Sequence, residues 1–248
     1  METAANARGH ACKSFLFLQK AKVEMRSDNF PSQITGTVYG VILNDSGSLQ
    51  RIGVALAEAP YKGAPKAPVL YIKPANTRVG NDAAISLPAG ADAVEIGATI
   101  GVVIGAPAAR VTLENAAASV AGYVLVADLS LPHASYYRPA IREKCFDASC
   151  VIASDLLPAE KFAELRALQI STQINGKQVD TWSLADLLRS IPELLRDVSE
   201  FMTLQRGDLL LAGVKWQAPQ ATQGDQVTLT AAGFGELHFR IAAAGSDE

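Results

Sequence analysis

The side chains able to do chemistry lie mainly between Lys73 and Cys150 of this 248-residue chain. Lys73 stands between the apolar run Val69–Ile72 and Pro74. Asp128 closes a second apolar run, Ala121–Val126, where an aspartate by itself reads as a turn or helix-cap residue. Tyr137, Arg138 and Arg142 follow in a polar stretch. A guanidinium binds a carboxylate in a bidentate fork, so Arg138 and Arg142 could clamp an acidic ligand; surface ion pairs are the commoner use of such arginines. Lys144, Asp147 and Cys150 end the stretch. Taken alone, Lys144 is a solvated surface lysine. Cys150 reads as a buried small residue rather than a nucleophile, because no histidine stands in a suggestive pattern beside it. His133 reads as a loop histidine.

Composition narrows the partners. The net charge of −3 and the lack of a Lys/Arg cluster give no field for nucleic acid. An acidic metabolite would have to be held by a few placed cations. Cys12, Cys145 and Cys150 form neither a disulfide framework nor, with His10, His133 and His238, a zinc pattern. They read as reduced thiols of a cytoplasmic protein. No apolar run reaches transmembrane length, so no membrane is expected. Residues 1–35 read as a partly disordered extension without a convincing signal peptide, in which Met25 is an alternative start to Met1.

These residues need elements to position them. Thr37–Leu43 is β-branched and aromatic and predicts a strand, followed by the turn cluster Asn44–Gly47. Val69–Ile72 predicts a short buried strand. Ala93–Ile96 and Ile100–Ile104 predict a β-pair with small residues between them. Leu113–Ala118 predicts a helix, and Ala121–Val126 a strand. Ile170–Ile174 leads into the hairpin signal Asn175-Gly176. Apolar residues at helical spacing over Leu184–Leu204 predict an amphipathic helix broken or restarted at Pro192. Short strands close the chain, and the tail 243–248 is expected to fray. Strands outnumber helices, which gives a β-rich α+β fold over residues 36–242 with sheets around one core.

The order of several motifs is informative. Lys73-Pro74-Ala75-Asn76-Thr77 precedes Gly101-Val102-Val103-Ile104-Gly105. Gly122-Tyr123-Val124-Leu125-Val126-Ala127-Asp128, Lys144-Cys145-Phe146-Asp147-Ala148-Ser149-Cys150, Ile174-Asn175-Gly176-Lys177 and Gly207-Asp208-Leu209-Leu210-Leu211-Ala212-Gly213 follow. This ordered set, from about Val38 to Phe234, resembles the fumarylacetoacetate-hydrolase superfamily. The run Tyr136–Cys145 is similar to the isomerase/decarboxylase branch that acts in 4-hydroxyphenylacetate breakdown.

The resemblance implies a fumarylacetoacetase-like mixed β-sandwich roll and an oligomer, either of one chain or with a paralogous subunit. It also implies Mg2+ or Mn2+ chelated by a small keto or enol polycarboxylate. The metal would stabilise the enolate formed as bonds next to a carbonyl shift or break. Asp128 matches the family's metal-binding aspartate, and Lys144 the lysine beside it. Asp147 shares the Lys144 loop as a second catalytic candidate. Lys73, Tyr137, Arg138 and Arg142 would bind substrate.

The chain also departs from the pattern. The family's pair of metal-binding glutamates falls on Gly97 and Thr99, neither of which supplies a carboxylate. Glu95 lies two residues earlier and could replace them only by a shift of strand register. Gly213-Val214-Lys215 lacks the family's substrate-touching threonine, and Asn44-Asp45 lacks the lid histidine of the hydrolases. Three readings follow: a decarboxylase/isomerase subunit, a catalytically silent subunit that supports a paralogue, or a stand-alone binder of an unidentified keto acid, which no motif promotes. Metal binding by this chain alone is expected to be weak or absent.

Overall fold

β-Branched and aliphatic runs supply the long central strands of the fold. The computed structural model describes residues 29–134, 140–161 and 165–242. The N-terminal stretch 1–28, the candidates Tyr137 and Arg138, and the tail 243–248 lie outside the described residues.

An eight-stranded sheet has the order β2 (Val69–Lys73), β1 (Val38–Ile42), β10 (Leu209–Leu211), β5 (Ala93–Ile104), β6 (Val120–Ser130), β7 (Cys150–Pro158) and β3 (Arg78–Val79). In addition, β11 (Gln220–Thr222) pairs with the first part of β5. A five-stranded sheet has the order β4 (Ala83–Ile85), β13 (Leu237–Ile241), β12 (Gln226–Ala231), β8 (Gln169–Ile174) and β9 (Lys177–Ser183). The sheets meet through β5 with β8, β6 with β12 and β7 with β13. Between and around them lies a continuous core that includes Ile96, Ile100, Leu125, Ile152, Ile170 and Leu229. The architecture is the β-rich α+β roll expected from sequence.

The large sheet curls on itself. β2 and β3 are the two ends of its strand order, yet only residues 74–77 separate them in the chain. The ends must therefore lie close together. Side chains close the seam: Lys73 Nζ donates to the backbone oxygens of Leu129 (2.9 Å) and Ser149 (2.6 Å), and Asn76 O accepts from Ala148 N (3.1 Å). Because a strand alternates faces, Tyr71 and Lys73 point to the interior of the curl, whereas Ile72, 51% exposed, points out. β2 was expected to be buried, but it is an edge strand with β1 as its one neighbour among the described strands.

Three further expectations are corrected. Residues 93–104 form one strand of 12 residues rather than a pair, because β6 runs antiparallel beside nearly all of it. Asn44–Gly47 is not merely a turn: Asp45 caps helix α1 (Ser46–Ile52), accepting from Ser48 N at 2.6 Å. Leu113–Ala118 yields only a short 3-10 turn at Ala116–Ser119. The Leu184–Leu204 periodicity resolves into a 3-10 turn, Leu184–Asp186, and helix α3 (Ile191–Phe201), with the four-residue α2 (Ile141–Lys144) earlier in the chain. Pro192 sits in the first turn of α3, where a missing N–H costs nothing. The folded part also reaches upstream of residue 36, because Ile34 is buried and Phe30 packs on the core.

Gly40 on β1 lies directly opposite Tyr71. A Cβ at position 40 would overlap the Tyr71 ring, so glycine is what lets the ring cross its neighbour strand into the interior. Gly40→Ala is expected to lower stability by about 1–3 kcal/mol in urea titration. In a Tyr71→Ala background the same change should cost far less, and an equal cost in both backgrounds would show that the ring is not the obstacle.

Candidate functional site

β6 delivers Asp128 into the interior of the curl, where its side chain is fully buried. Lys73 Nζ lies 2.7 Å from Oδ1, and Lys144 Nζ lies 3.0 Å from Oδ2. The Tyr71 hydroxyl donates to Oδ2 as well. Lys144 Nζ also sits 4.6 Å from the centre of the Tyr71 ring, in cation–π range. The four residues come from β2, β6 and α2. The end of α2 is fixed to β6 by a hydrogen bond from Leu131 N to Glu143 O (2.8 Å).

Burial alone would raise the pKa of Asp128. The charges of Lys144 and Lys73, with hydrogen bonds from Lys73 and Tyr71, outweigh it and hold the carboxyl below its ordinary value. Burial pulls Lys73 downward against the support of the Asp128 charge. Burial also pushes Cys150 up to about 12, so its thiol stays protonated, in keeping with its reading as a buried small residue.

The two lysines differ in what they have left to give. Lys73 is 1% exposed, and Asp128, Leu129 O and Ser149 O take up its three N–H donors. It was expected to bind substrate; it instead ties the seam, because full burial and saturated donors leave it nothing to offer a ligand. The Lys144 ammonium has Asp128 as its one hydrogen-bond partner among the described residues, and the side chain keeps 5% exposure. The exposed Asp147 carboxylate accepts from Asn76 Nδ2 (2.7 Å). Arg142 is exposed on α2. His133 lies on the loop after β6, with Nδ1 3.1 Å from Leu131 O.

The register of β5 and β6 decides the metal question. Gly97 lies opposite Asp128, Thr99 opposite Val126 and Glu95 opposite Ser130, and alternation puts Glu95, Gly97 and Thr99 on one face. Magnesium and manganese favour several oxygen ligands. A Cβ at position 97 would come within 2.5 Å of Asp128 O and 2.9 Å of Val214 Cγ1, so this backbone admits no longer side chain there. Val214 occupies the space a ligand would need. Asp128 already lies against two ammonium groups and a phenol. Among the described residues, no group of three or more His, Cys, Asp or Glu could hold a metal ion. The residues present do not fit the divalent ion that the resemblance implies.

Glu95 was set aside at the sequence level as out of register for a ligand. It is 7% exposed and shares the Gly97 face of β5, and the Lys144 charge acts on it. Burial raises its pKa to about 7, partly offset by Lys144. A cleft of about 510 Å3 bordered by Leu113, Leu165, Leu187 and Pro192 holds none of the cluster.

The two-sheet roll with a buried carboxylate on β6 facing β5 defines a fumarylacetoacetase-like protein. The sequence model of the family "Fumarylacetoacetate (FAA) hydrolase C-terminal" matches residues 37–242, and the chain belongs to that family. It is 40% identical over 202 residues to the 4-hydroxyphenylacetate degradation bifunctional isomerase/decarboxylase of Escherichia coli, across 82% of this chain and 46% of that protein. The chain thus spans about half the length of the curated relative it matches. The 5-carboxymethyl-2-hydroxymuconate delta-isomerase of Mycobacterium smegmatis superposes with a TM-score of 0.71 at 26% identity, covering 86% of this chain and 81% of that one. The fumarylpyruvate hydrolase of Pseudomonas aeruginosa, solved with Mn2+ and pyruvate, shares the fold with a TM-score of 0.72 at 24% identity, covering 84% and 90%.

Two tests follow from the electrostatics. Lys73→Met leaves Asp128 buried with one cation fewer and should cost about 3–5 kcal/mol of stability, read by guanidinium unfolding; a loss below 1 kcal/mol would show that Lys144 alone suffices. For Glu95 the folded pKa of about 7 lies above the ordinary carboxyl value of about 4.3. The folded state therefore holds the proton more tightly, and stability falls as pH rises between those values. Glu95→Gln should leave Tm unchanged at pH 4 and raise it at pH 8. A Tm gain of equal size at both pH values would show that burial of the charge is not the cause.

Proposed function

We propose that this chain is a subunit of a 4-hydroxyphenylacetate-degradation isomerase/decarboxylase, acting on a keto or enol polycarboxylate. The metal-dependent decarboxylation of 5-oxopent-3-ene-1,2,5-tricarboxylate would belong to a second chain or segment that carries the carboxylate pair. In this reading the chain handles 2-hydroxyhepta-2,4-diene-1,7-dioate or a related acid, either to isomerise it or to hold it. The observation that carries the reading is Asp128 clasped by Lys73, Lys144 and Tyr71 opposite a glycine that Val214 covers. The charge of a metal centre is supplied there by two fixed ammonium groups.

Roles follow from position. Lys144, with donors to spare, meets the substrate's carbonyl or enol oxygen. Asp128 positions Lys144, and Tyr71 shields the pair. Arg142, on the exposed side of α2, receives a distal carboxylate, and Tyr137 and Arg138 are proposed to join it. Asp147 acts through Asn76 on the loop that carries Lys144. A silent subunit supporting a paralogue is the second reading, favoured by the same filled Gly97 position.

Calorimetry separates these possibilities. The isolated chain is expected to show no binding of Mg2+ or Mn2+ up to millimolar concentration and no release of CO2 from the tricarboxylate. It should bind oxaloacetate in the presence of EDTA. Tight metal binding, or decarboxylation by the chain alone, would overturn the assignment of that step to another chain, and a lack of oxaloacetate binding would favour the silent subunit.

A further inference from the structure

The Asn44-Asp45 pair has no part in the proposed function, yet both side chains are buried, at 1% and 2% exposure. Asn44 Nδ2 donates to Ala212 O (2.8 Å) and Arg189 O (3.0 Å), and Asn44 Oδ1 accepts from Arg189 N (2.9 Å). Asp45 Oδ2 accepts from Ser48 N and Ser48 Oγ, both at 2.6 Å, and Asp45 Oδ1 accepts from Trp182 Nε1 at 3.0 Å. The relay continues outward. Trp216 N donates to Ser48 Oγ (2.8 Å), and Arg51 Nη2 donates to Trp216 O (2.8 Å). Lys215 is tied separately, to Asp180 Oδ1 of β9 at 2.5 Å.

These bonds converge on the loop 212–219. β10 pairs with Gly101–Val103 of β5 and β11 with Ala93–Glu95, so a loop and not a strand lies along Ile96–Ile100 on this side. Its backbone bonds to β5 fall at its two ends, from Ala212 N to Ile100 O (2.9 Å) and from Ile96 N to Pro219 O (2.8 Å). Between them lies Gly97, the register partner of Asp128, where a Cβ would come within 2.9 Å of Val214 Cγ1. Thr99, on the Gly97 face, is fully buried, and its hydroxyl has no hydrogen-bond partner among the described residues. A sealed core seldom leaves a hydroxyl unmet, because its lost hydration is not repaid. The ties on the loop are polar, and the Arg51, Lys215 and Asp180 side chains are 40%, 24% and 19% exposed. Such bonds exchange with water at small net cost, which places the loop among segments that open ahead of the core.

We infer that Asp45 is a positioning residue of the Asp128 site: through Ser48 and Trp216 it holds Val214 over Gly97, and a keto or enol acid reaches the cluster when this latch releases. Lys144 keeps 5% exposure, so a substrate oxygen meets it only after a neighbouring segment moves. Withdrawal of Val214 uncovers the face of β5 opposite Asp128 and lets the entering acid accept from the Thr99 hydroxyl. The inference rests on the keto-acid binding proposed above and adds to it the element that controls access. A latch differs from a brace in the sign of its effect. When only the open state binds, the apparent affinity scales with the open fraction, so weakening a latch tightens binding; weakening a brace loosens it.

Ser48→Ala is the informative variant, because it removes the hydroxyl that joins Asp45 to Trp216 and keeps the Ser48 N–H that caps α1. Hydrogen–deuterium exchange over residues 213–217 should quicken by about fivefold in this variant, with exchange in β5 and β6 unchanged. The chain's two tryptophans, Trp182 and Trp216, both belong to the relay, so acrylamide quenching of their fluorescence should rise as well. Calorimetry with oxaloacetate in EDTA should give a Kd about fivefold lower than for the wild-type chain. Asp45→Asn, which weakens the same bonds by removing their charge, should shift exchange and affinity the same way. Ser48→Thr, which restores the hydroxyl, should return both toward wild type, with circular dichroism confirming that each variant is folded. Exchange over 213–217 unaltered in Ser48→Ala and Asp45→Asn, or oxaloacetate held equally or more weakly while the loop exchanges faster, would overturn the inference and leave the proposed function standing. Binding by neither the wild-type chain nor any variant would overturn both.

Discussion

The buried charge of Asp128 is the constraint on which the rest of the site depends. A carboxylate removed from water is tolerated only when cations and donors repay its lost hydration. Here Lys73, Lys144 and Tyr71 do so from two other elements. Each of these partners has its own requirement. Lys73 must be on the inward face of β2, so the sheet must curl until its end strands meet. Tyr71 must cross β1, so Gly40 must lack a side chain. Lys144 must face β6, so α2 is tied to Leu131. A local electrostatic demand thereby fixes tertiary geometry over most of the large sheet.

The same arrangement explains how a family member can keep its scaffold without the metal carboxylates. Two ammonium groups supply positive charge beside Asp128, and Val214 fills the volume over Gly97. A fixed ammonium is weaker than a divalent ion as a Lewis acid, but it can hold an enolate oxygen through a hydrogen bond.

Much of the fold was legible in the residues. The strand runs, the Asn175-Gly176 turn and the ordered motifs gave the class and the family, because hydrophobic alternation and turn chemistry are local. Asp128 and Lys144 were recognisable from their motifs, and the structure joins them at 3.0 Å. The errors have a common cause. Lys73 was read as a ligand-facing cation and proved to be a seam tie; residues 93–104 were divided where small residues sit; β2 was placed inside. In each case the deciding fact was which strand lies alongside, and strand neighbours distant in sequence leave no mark on local composition.

Glu95 shows that limit most clearly. Its spacing from Gly97 and Thr99 was visible, and so was its failure to match the ligand positions. By itself the sequence determined the alternation that places Glu95, Gly97 and Thr99 on one face, the absence of carboxylates at 97 and 99, and the family to which the chain belongs. Only the tertiary structure decided that Val214 closes the Gly97 position, that Lys73 is spent on backbone carbonyls, and that Glu95 is buried where the Lys144 charge acts on it. The reason is physical: periodicity along one strand sets the face of a side chain, but desolvation and charge pairing depend on what the other strands bring opposite to it.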